Sequence, residues 1–88
     1  MTKIHDLKRQ AVSAAVARLL REERERQGLS MSIVAERAGI SQQMVSYVER
    51  EQRKPTLDTL LRMAQALGIE LPVLLERAHT GGVRPSKR

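Results

Sequence analysis

Residues 30–55 decide the fold, and their sequence is SMSIVAERAGISQQMVSYVEREQRKP. Ser30 and Ser41 each precede a run of residues compatible with a helix, and a serine hydroxyl at that position accepts a free backbone N–H of the first turn. Gly39 lies between the two runs, where glycine ends a helix in the left-handed conformation at little cost. The stretch therefore predicts a short helix over residues 31–38, a tight turn at residues 38–40 and a second short helix over residues 42–50.

The apolar side chains of this stretch recur at helical spacing and predict its buried face. They are Val34, Ala35, Ala38, Ile40, Val45 and Val48. The side chains expected to point away from the core on the second helix are Gln42, Gln43, Met44, Ser46 and Tyr47. Two helices joined by a short turn with a glycine form a helix-turn-helix unit, and the second helix of such a unit is suited to the major groove of DNA.

Three further helices are predicted outside this unit, over residues 7–27, 57–67 and 72–79. The first is rich in Ala, Leu, Arg, Glu and Gln, which are good helix formers. Thr56 is suited to cap the second, and Pro72 occupies a tolerated first-turn position in the third. The side chains expected to face the core are Val12, Val16, Leu19, Leu20, Leu57, Leu60, Leu61, Ala64, Leu67, Leu71, Leu74 and Leu75.

The composition indicates one small domain. The 88 residues include 41% hydrophobic residues but neither Phe nor Trp, so the core must be built from aliphatic side chains and Met. Without cysteine, the chain forms no disulfide and no thiolate metal site. No signal-peptide segment begins the sequence, and no apolar run approaches the ~20 residues that a membrane-spanning helix needs. We expect a cytoplasmic protein without a metal or cofactor.

The organisation along the chain follows from these elements. We expect the domain to cover residues 11–79, after a partly disordered N-terminal arm at residues 1–10. Residues 80–88 contain two glycines, a proline and three basic residues, which favour a basic flexible tail. The fold class is therefore all-α, a compact bundle of five helices with an extended first helix.

The net charge of +6 indicates a polyanionic partner. Nucleic acid is the leading candidate, and a membrane surface is the alternative. An enzyme is poorly supported, because His5 and His79 lie near opposite ends of the chain and no nucleophile–base pair is apparent.

Taken together, the motifs resemble the lambda-repressor-like domain of the Xre/Cro type. The resemblance covers residues 16–76 and depends on joint spacing. Its motifs are Arg24 with Gly28-Leu29-Ser30, Val34-Ala35, Ala38-Gly39-Ile40-Ser41, Val48-Glu49, Pro55, and Leu57, Leu60, Ala64 and Leu67-Gly68. The resemblance implies a five-helix lambda-repressor-like bundle that binds double-stranded DNA sequence-specifically. It further implies a transcriptional regulator, most often a repressor that binds a palindromic operator as a homodimer.

The resemblance also assigns roles to residues near the second helix of the unit. The positions that would contact bases are Gln42, Gln43, Met44, Ser46 and Tyr47. A glutamine amide can pair with the N6/N7 edge of adenine, and Met44 could contact a thymine methyl. For Tyr47, packing beside the basic loop that follows the second helix, at residues 53–55, is an equal alternative. The positions that would contact phosphates are Ser32, Ser41, Arg50, Arg53 and Lys54.

Two other sets of positions carry structural expectations. Arg24 and Glu49 match a family pair that forms an ion pair between the first helix and the recognition helix. Two positions depart from the family pattern, since Met31 stands where many relatives have a phosphate-binding glutamine, and Glu51 stands where a glycine is common.

Two functions remain open at this point. The first is a DNA-binding regulator without enzymatic activity. The alternative is an antitoxin-like protein-interaction module that also binds DNA and has a protein partner. Because the family most often dimerises through its C-terminal helix, the candidate dimer contacts are Leu71, Val73 and Leu75, although core packing is an equal interpretation for the leucines.

Overall fold

The computed structural model describes residues 3–82, which form five α-helices and contain no strand. The helices are α1 (Lys3–Arg26), α2 (Met31–Ala38), α3 (Gln42–Glu49), α4 (Leu57–Leu67) and α5 (Leu71–Gly82). This architecture confirms the all-α prediction with an extended first helix. None of the five is long and apolar enough to cross a membrane.

Short polar side chains and glycines set the helix ends, as the sequence predicts. Ser30, Ser41 and Thr56 each accept the backbone N–H three residues further on, at 3.1, 3.0 and 3.1 Å respectively. Gly39 and Gly68 end α2 and α4 with φ angles of 71° and 72°. These local contacts satisfy backbone groups that a helix end leaves free, at the starts of α2, α3 and α4 and at the ends of α2 and α4.

The core lies where α1 and α5 pack together and where α2 packs against α3 and α4. Its largest fully buried side chains are Leu20, Val34, Val45, Val48, Met63 and Leu74. Within the helix-turn-helix unit, every side chain predicted to face inward is buried except Ile40, which is half-buried against the core. The two short helices are therefore held by aliphatic packing on one face, which leaves the other face of α3 free.

The buried face of α4 differs from the prediction. Leu57 and Leu61 are exposed, whereas Met63 and Ala66 are buried. The core-facing stripe runs through residues 60, 63, 64 and 67, and Leu61 lies about 100° around the helix from residue 60. Leu57 lies in the first turn of the helix, beyond the edge of the core.

The last helix shows the same kind of shift. Leu74 and Ala78 are buried one turn apart, whereas Leu75 is exposed and Leu71 is half-buried. Only one of the three leucines predicted to close the bundle is therefore fully inside it.

Two helices extend into the predicted arm and tail. Because α1 begins at Lys3, residues 3–10 of the predicted, partly disordered N-terminal arm lie in its first turns. Because α5 continues to Gly82, residues 80–82 belong to that helix. The rest of both predicted segments, residues 1–2 and 83–88, lies outside the described residues.

Candidate nucleic-acid interface

The outer face of α3 is polar and accessible. Gln42 and Gln43 are exposed in its first turn, while Ser46 and Tyr47 are half-buried one turn further on. Met44 is also half-buried, because its side chain packs against the core. The two glutamine amides are therefore the side chains on this face most open to a ligand.

An ion pair fixes the end of α3 to the end of α1. The Arg24 Nε and Nη2 atoms donate to the two carboxylate oxygens of Glu49 at 2.7 and 3.0 Å. Arg24 Nη1 also donates to the carbonyl oxygen of Leu29 at 2.8 Å. The Arg24 and Glu49 side chains are 12% and 1% exposed. The hydrogen bonds to Glu49 raise the pKa of Arg24 above its ordinary value, so the guanidinium stays charged.

A second arginine stabilises the turn between α2 and α3. Arg62 of α4 donates through Nη1 to the carbonyl oxygen of Ala38 at 3.2 Å and through Nε to Asp58 at 2.7 Å. A Cβ atom on Gly39 would lie 3.0 Å from Arg62 Nη1. The sequence interpretation missed this role of Arg62, although the spacing of four residues between Asp58 and Arg62 is typical of a helical ion pair.

Basic side chains follow directly after α3. Arg50, Arg53 and Lys54 are exposed, and the loop that carries them is held by backbone bonds to the last turns of α3. The N–H groups of residues 52 and 53 donate to the carbonyl oxygen of Tyr47 at 2.8 and 3.3 Å. Three cations therefore stand beside the polar face of α3 on a short, anchored loop.

Tyr47 connects this loop to the polar face. Gln43 Nε2 donates to Tyr47 Oη at 2.7 Å, and the guanidinium carbon of Arg53 lies 5.0 Å from the centre of the tyrosine ring. The ring thus packs beside the basic loop, while its hydroxyl contacts a residue that faces outward. Sequence reasoning named all three residues but missed their contacts, although the spacing of four between Gln43 and Tyr47 was a signal for the first.

The two serines predicted to contact phosphate lie at helix starts. Ser41 is exposed, and its hydroxyl oxygen accepts the N–H of Met44 as the cap of α3. Ser32 is exposed in the first turn of α2. Both hydroxyls keep a hydrogen to donate, and both lie near backbone N–H groups that a helix start leaves free.

The helix-turn-helix unit and its supporting contacts lie in a part of the chain that matches a known protein family. A family model described as helix-turn-helix matches residues 20–74, which is more than half of the chain. The chain belongs to the lambda-repressor-like helix-turn-helix family. The matched residues include the Arg24–Glu49 pair, all of α2 and α3, and the loop with its three cations. Members of the family are DNA-binding transcriptional regulators.

Three relatives show how far the similarity extends. This helix-turn-helix protein is 43% identical over 68 residues to the uncharacterized HTH-type transcriptional regulator Rv0474 of Mycobacterium tuberculosis, covering 77% of this chain and 47% of the relative. The chain therefore spans about half the length of that relative. It is 46% identical over 61 residues to the uncharacterized HTH-type transcriptional regulator y4dJ of Sinorhizobium fredii, covering 69% and 74%. It is 35% identical over 66 residues to the control protein C.SmaI of Serratia marcescens, covering 75% and 79%.

The fold is also similar to a solved structure. A crystal structure of a mutant of the restriction-modification controller protein C.Esp1396I matches with a TM-score of 0.77, covering 85% of this chain and 97% of that one. The two sequences are 17% identical, so this likeness concerns the fold.

Two positions of this helix-turn-helix chain depart from the family pattern. Met31 packs half-buried against the core rather than offering an amide at the start of α2. Glu51 adopts a φ angle of 61°, in the left-handed region that favours glycine. Met31 therefore offers no polar side chain at the start of α2, and Glu51 places a strained acidic residue in the basic loop.

Proposed function

We propose that this chain is a sequence-specific regulator of transcription that represses by binding a palindromic double-stranded DNA operator as a homodimer. The observation that carries the proposal is the outer face of α3, where two exposed amides open a helix whose other end is held by a buried ion pair and followed by three exposed cations. Base-reading groups and phosphate-binding groups thus lie side by side on a rigid support, as DNA recognition requires.

Base recognition is assigned first to Gln42 and Gln43. Each amide offers one acceptor and a donor nitrogen, which match the N6 and N7 atoms of adenine in the major groove. Ser46 and Tyr47 lie one turn further along the same face, and we assign them to the next base pair. Met44 contributes an apolar edge suited to a thymine methyl, although its partial burial against the core limits its reach.

Phosphate contact is assigned to the loop and to the helix starts. Arg50, Arg53 and Lys54 supply positive charge at the carboxyl end of α3, while the hydroxyls of Ser32 and Ser41 lie at the amino ends of α2 and α3. Such contacts place the protein on the duplex without specifying sequence, and each neutralised phosphate contributes to the dependence of affinity on salt.

The proposed dimer rests on exposed apolar side chains of α4 and α5. Val73 and Leu75 are 41% and 38% exposed, and Leu71 lines a shallow groove with Leu61 and Ile69. A second copy is the occupant that matches a palindromic operator, because a two-fold axis repeats the reading helix on each half-site. The two half-sites would then lie about 34 Å apart, one turn of the DNA helix.

The relative named as a control protein favours a narrower candidate. C.SmaI aligns over 79% of its length with the part of this chain that holds the helix-turn-helix unit. A control protein of that kind is the regulator type that we favour over an antitoxin. An antitoxin would need a protein partner for which the described residues offer no separate support.

Selection from a random duplex library tests the regulator assignment. The expected result is an enriched palindrome whose half-sites are about one helical turn apart. Val73→Glu should abolish the dimer in sedimentation and weaken binding to the palindrome, whereas Leu7→Glu, which changes an exposed apolar side chain on α1, should change neither. No enriched sequence, with only weak and uniform binding, would contradict the proposal and direct the search to a protein partner.

A further inference from the structure

Three side chains on and beside the outer face of α3 contact one another: Gln43, Tyr47 and Arg53. Gln43 Nε2 donates to Tyr47 Oη at 2.7 Å, and the Arg53 guanidinium covers the face of the same ring at 5.0 Å. The backbone N–H of Arg53 also donates to the Tyr47 carbonyl oxygen at 3.3 Å. Tyr47 is therefore fixed from both sides, by its own backbone contacts with the loop and by the cation above its ring.

This arrangement restricts what the Gln43 amide can offer to a base. The amide has two N–H hydrogens and one carbonyl oxygen. Once one hydrogen goes to Tyr47 Oη, one donor and one acceptor remain. Adenine presents one acceptor, N7, and one donor, N6, at its major-groove edge, so the remaining pair of atoms matches adenine.

Guanine is matched less well by the same amide. Its major-groove edge presents two acceptors, O6 and N7, and pairing with both requires two donors. With one N–H already used, Gln43 cannot supply the second donor without breaking the bond to Tyr47. An amide free of Tyr47 has both hydrogens available and can turn to either base.

We infer that the Tyr47 hydroxyl is a positioning group, which orients the Gln43 amide so that it selects adenine over guanine at the base pair it faces. The inference deepens the proposed function and rests on it, because it assumes that Gln43 contacts a base. Arg53 has a different part, since its guanidinium holds the tyrosine ring and faces the phosphate backbone. Tyr47 thus links the group that specifies a base to a group that sets position on the duplex.

Tyr47→Phe is the direct test, because it removes the hydroxyl and keeps the ring beneath Arg53. Affinities are measured for the enriched duplex and for duplexes carrying each other base pair at every position of the half-site. The Gln43→Ala variant identifies the base pair that Gln43 faces. It is the position of the half-site at which this variant loses the base preference of the wild type. At that position, Tyr47→Phe should lower the adenine-over-guanine ratio about 3- to 10-fold, the effect of one neutral hydrogen bond.

The controls separate positioning from folding and from the broader proposal. Tyr47→Phe should leave the melting temperature unchanged. In a Gln43→Ala background it should not change the adenine-over-guanine ratio at the Gln43 position. An unchanged adenine-over-guanine ratio in Tyr47→Phe, or a wild-type preference for guanine at the Gln43 position, would overturn the inference while the regulator assignment stands. A wild-type protein with no base preference at any position would overturn both.

Discussion

Arg24 and Glu49, 25 residues apart in sequence, form a bidentate ion pair in which two guanidinium nitrogens face two carboxylate oxygens at 2.7 and 3.0 Å. The pair joins the last turn of α1 to the last residue of α3, and Arg24 also binds the connection to α2 through the Leu29 carbonyl oxygen. The Arg24 side chain therefore holds together α1, the connection to α2 and the end of α3. A buried pair of this kind gives geometric definition more than net stability.

Removing the carboxylate should loosen the recognition helix without deleting a base contact. In Glu49→Ala, the Arg24 guanidinium stays in a site that is 12% exposed but loses its anionic partner. We expect a loss of about 3 kcal/mol in the free energy of unfolding, together with weaker binding to the enriched duplex. Urea denaturation and fluorescence anisotropy measure the two effects.

The matched control for that variant is Glu22→Ala. Glu22 pairs with Arg18 at 3.6 Å, and both side chains are about half exposed. Its removal should change the free energy of unfolding by less than about 0.5 kcal/mol. If Glu49→Ala matches Glu22→Ala in stability and the wild type in affinity, the ion pair does not support the recognition helix.

Glu51→Gly should stabilise the protein. Glu51 adopts a φ angle of 61°, which strains any residue with a Cβ and costs glycine nothing. The gain in the free energy of unfolding should be about 1 kcal/mol. Glu51→Ala keeps the Cβ and should show no such gain in the free energy of unfolding. Both variants remove a negative charge beside Arg50 and Arg53, so both should bind DNA more tightly than the wild type. Equal stability of the two variants would mean that the backbone angle is not the cause.

Gly39→Ala should cost more stability than Gly28→Ala. The two glycines have φ angles of 71° and 70°, so the backbone strain is the same, about 1 kcal/mol. A Cβ on Gly28 meets nothing within 4 Å, whereas one on Gly39 lies 3.0 Å from Arg62 Nη1 and disturbs its bond to the Ala38 carbonyl oxygen. The loss of that bond should add roughly 0.5–1 kcal/mol, and the addition should vanish in an Arg62→Ala background. Equal costs for the two glycines would show that Arg62 does not brace the turn.

Acid should weaken the contact between the ends of α1 and α4. Hydrogen bonds from Arg26 and then Gln27 lower the pKa of Glu23 from 4.5 to about 2. Gln27 Nε2 also donates to the Leu67 carbonyl oxygen at 2.7 Å. Because the pKa is lower in the folded state, the stability that Glu23 contributes is complete above pH 4.5 and is lost as the pH falls towards 2.

A carboxylate titration by NMR measures this directly. The Glu23 carboxyl signal should show a midpoint near pH 2 in the folded protein, and Glu23→Gln should flatten the loss of stability between pH 4.5 and 2. A midpoint near 4.5 would mean that the bonds from Arg26 and Gln27 do not form in solution.

The sequence predicted the features that depend on neighbouring residues. Ser30, Ser41 and Thr56 act within one helical turn, and a glycine at a helix end acts through its own backbone angle. Both kinds of helix end can therefore be predicted without knowing the tertiary structure. The burial of α4 was harder, because Leu57 and Leu61 are as apolar as the residues that the core accepts. Which leucines lie inside depends on how far α4 is rotated against α2, and that rotation is a tertiary property.

The contacts on the outer face of α3 likewise divide into those set by spacing along one helix and those set by tertiary packing. The spacing predicted that Gln43 and Tyr47 share a face of α3, but the stacking of Arg53 on the Tyr47 ring depends on the path of the loop after α3. Arg62 reaches the Ala38 carbonyl oxygen only because α4 packs against α2. The sequence therefore proposes the residues of the candidate site, whereas the contacts that orient their side chains required the structure.

If the outer face of α3 distinguishes one DNA sequence from another, an equilibrium titration with two duplexes will show the difference in affinity. Wild type and a Gln42→Ala/Gln43→Ala variant are titrated with the enriched duplex and a scrambled duplex of equal composition over a range of salt. The wild type should bind the enriched duplex at least about 10³-fold more tightly, and its affinity should fall with a log–log slope near −5 if a dimer neutralises about six phosphates. The variant should keep most of the slope and lose most of the preference. Equal affinity of the wild type for both duplexes would contradict the claim.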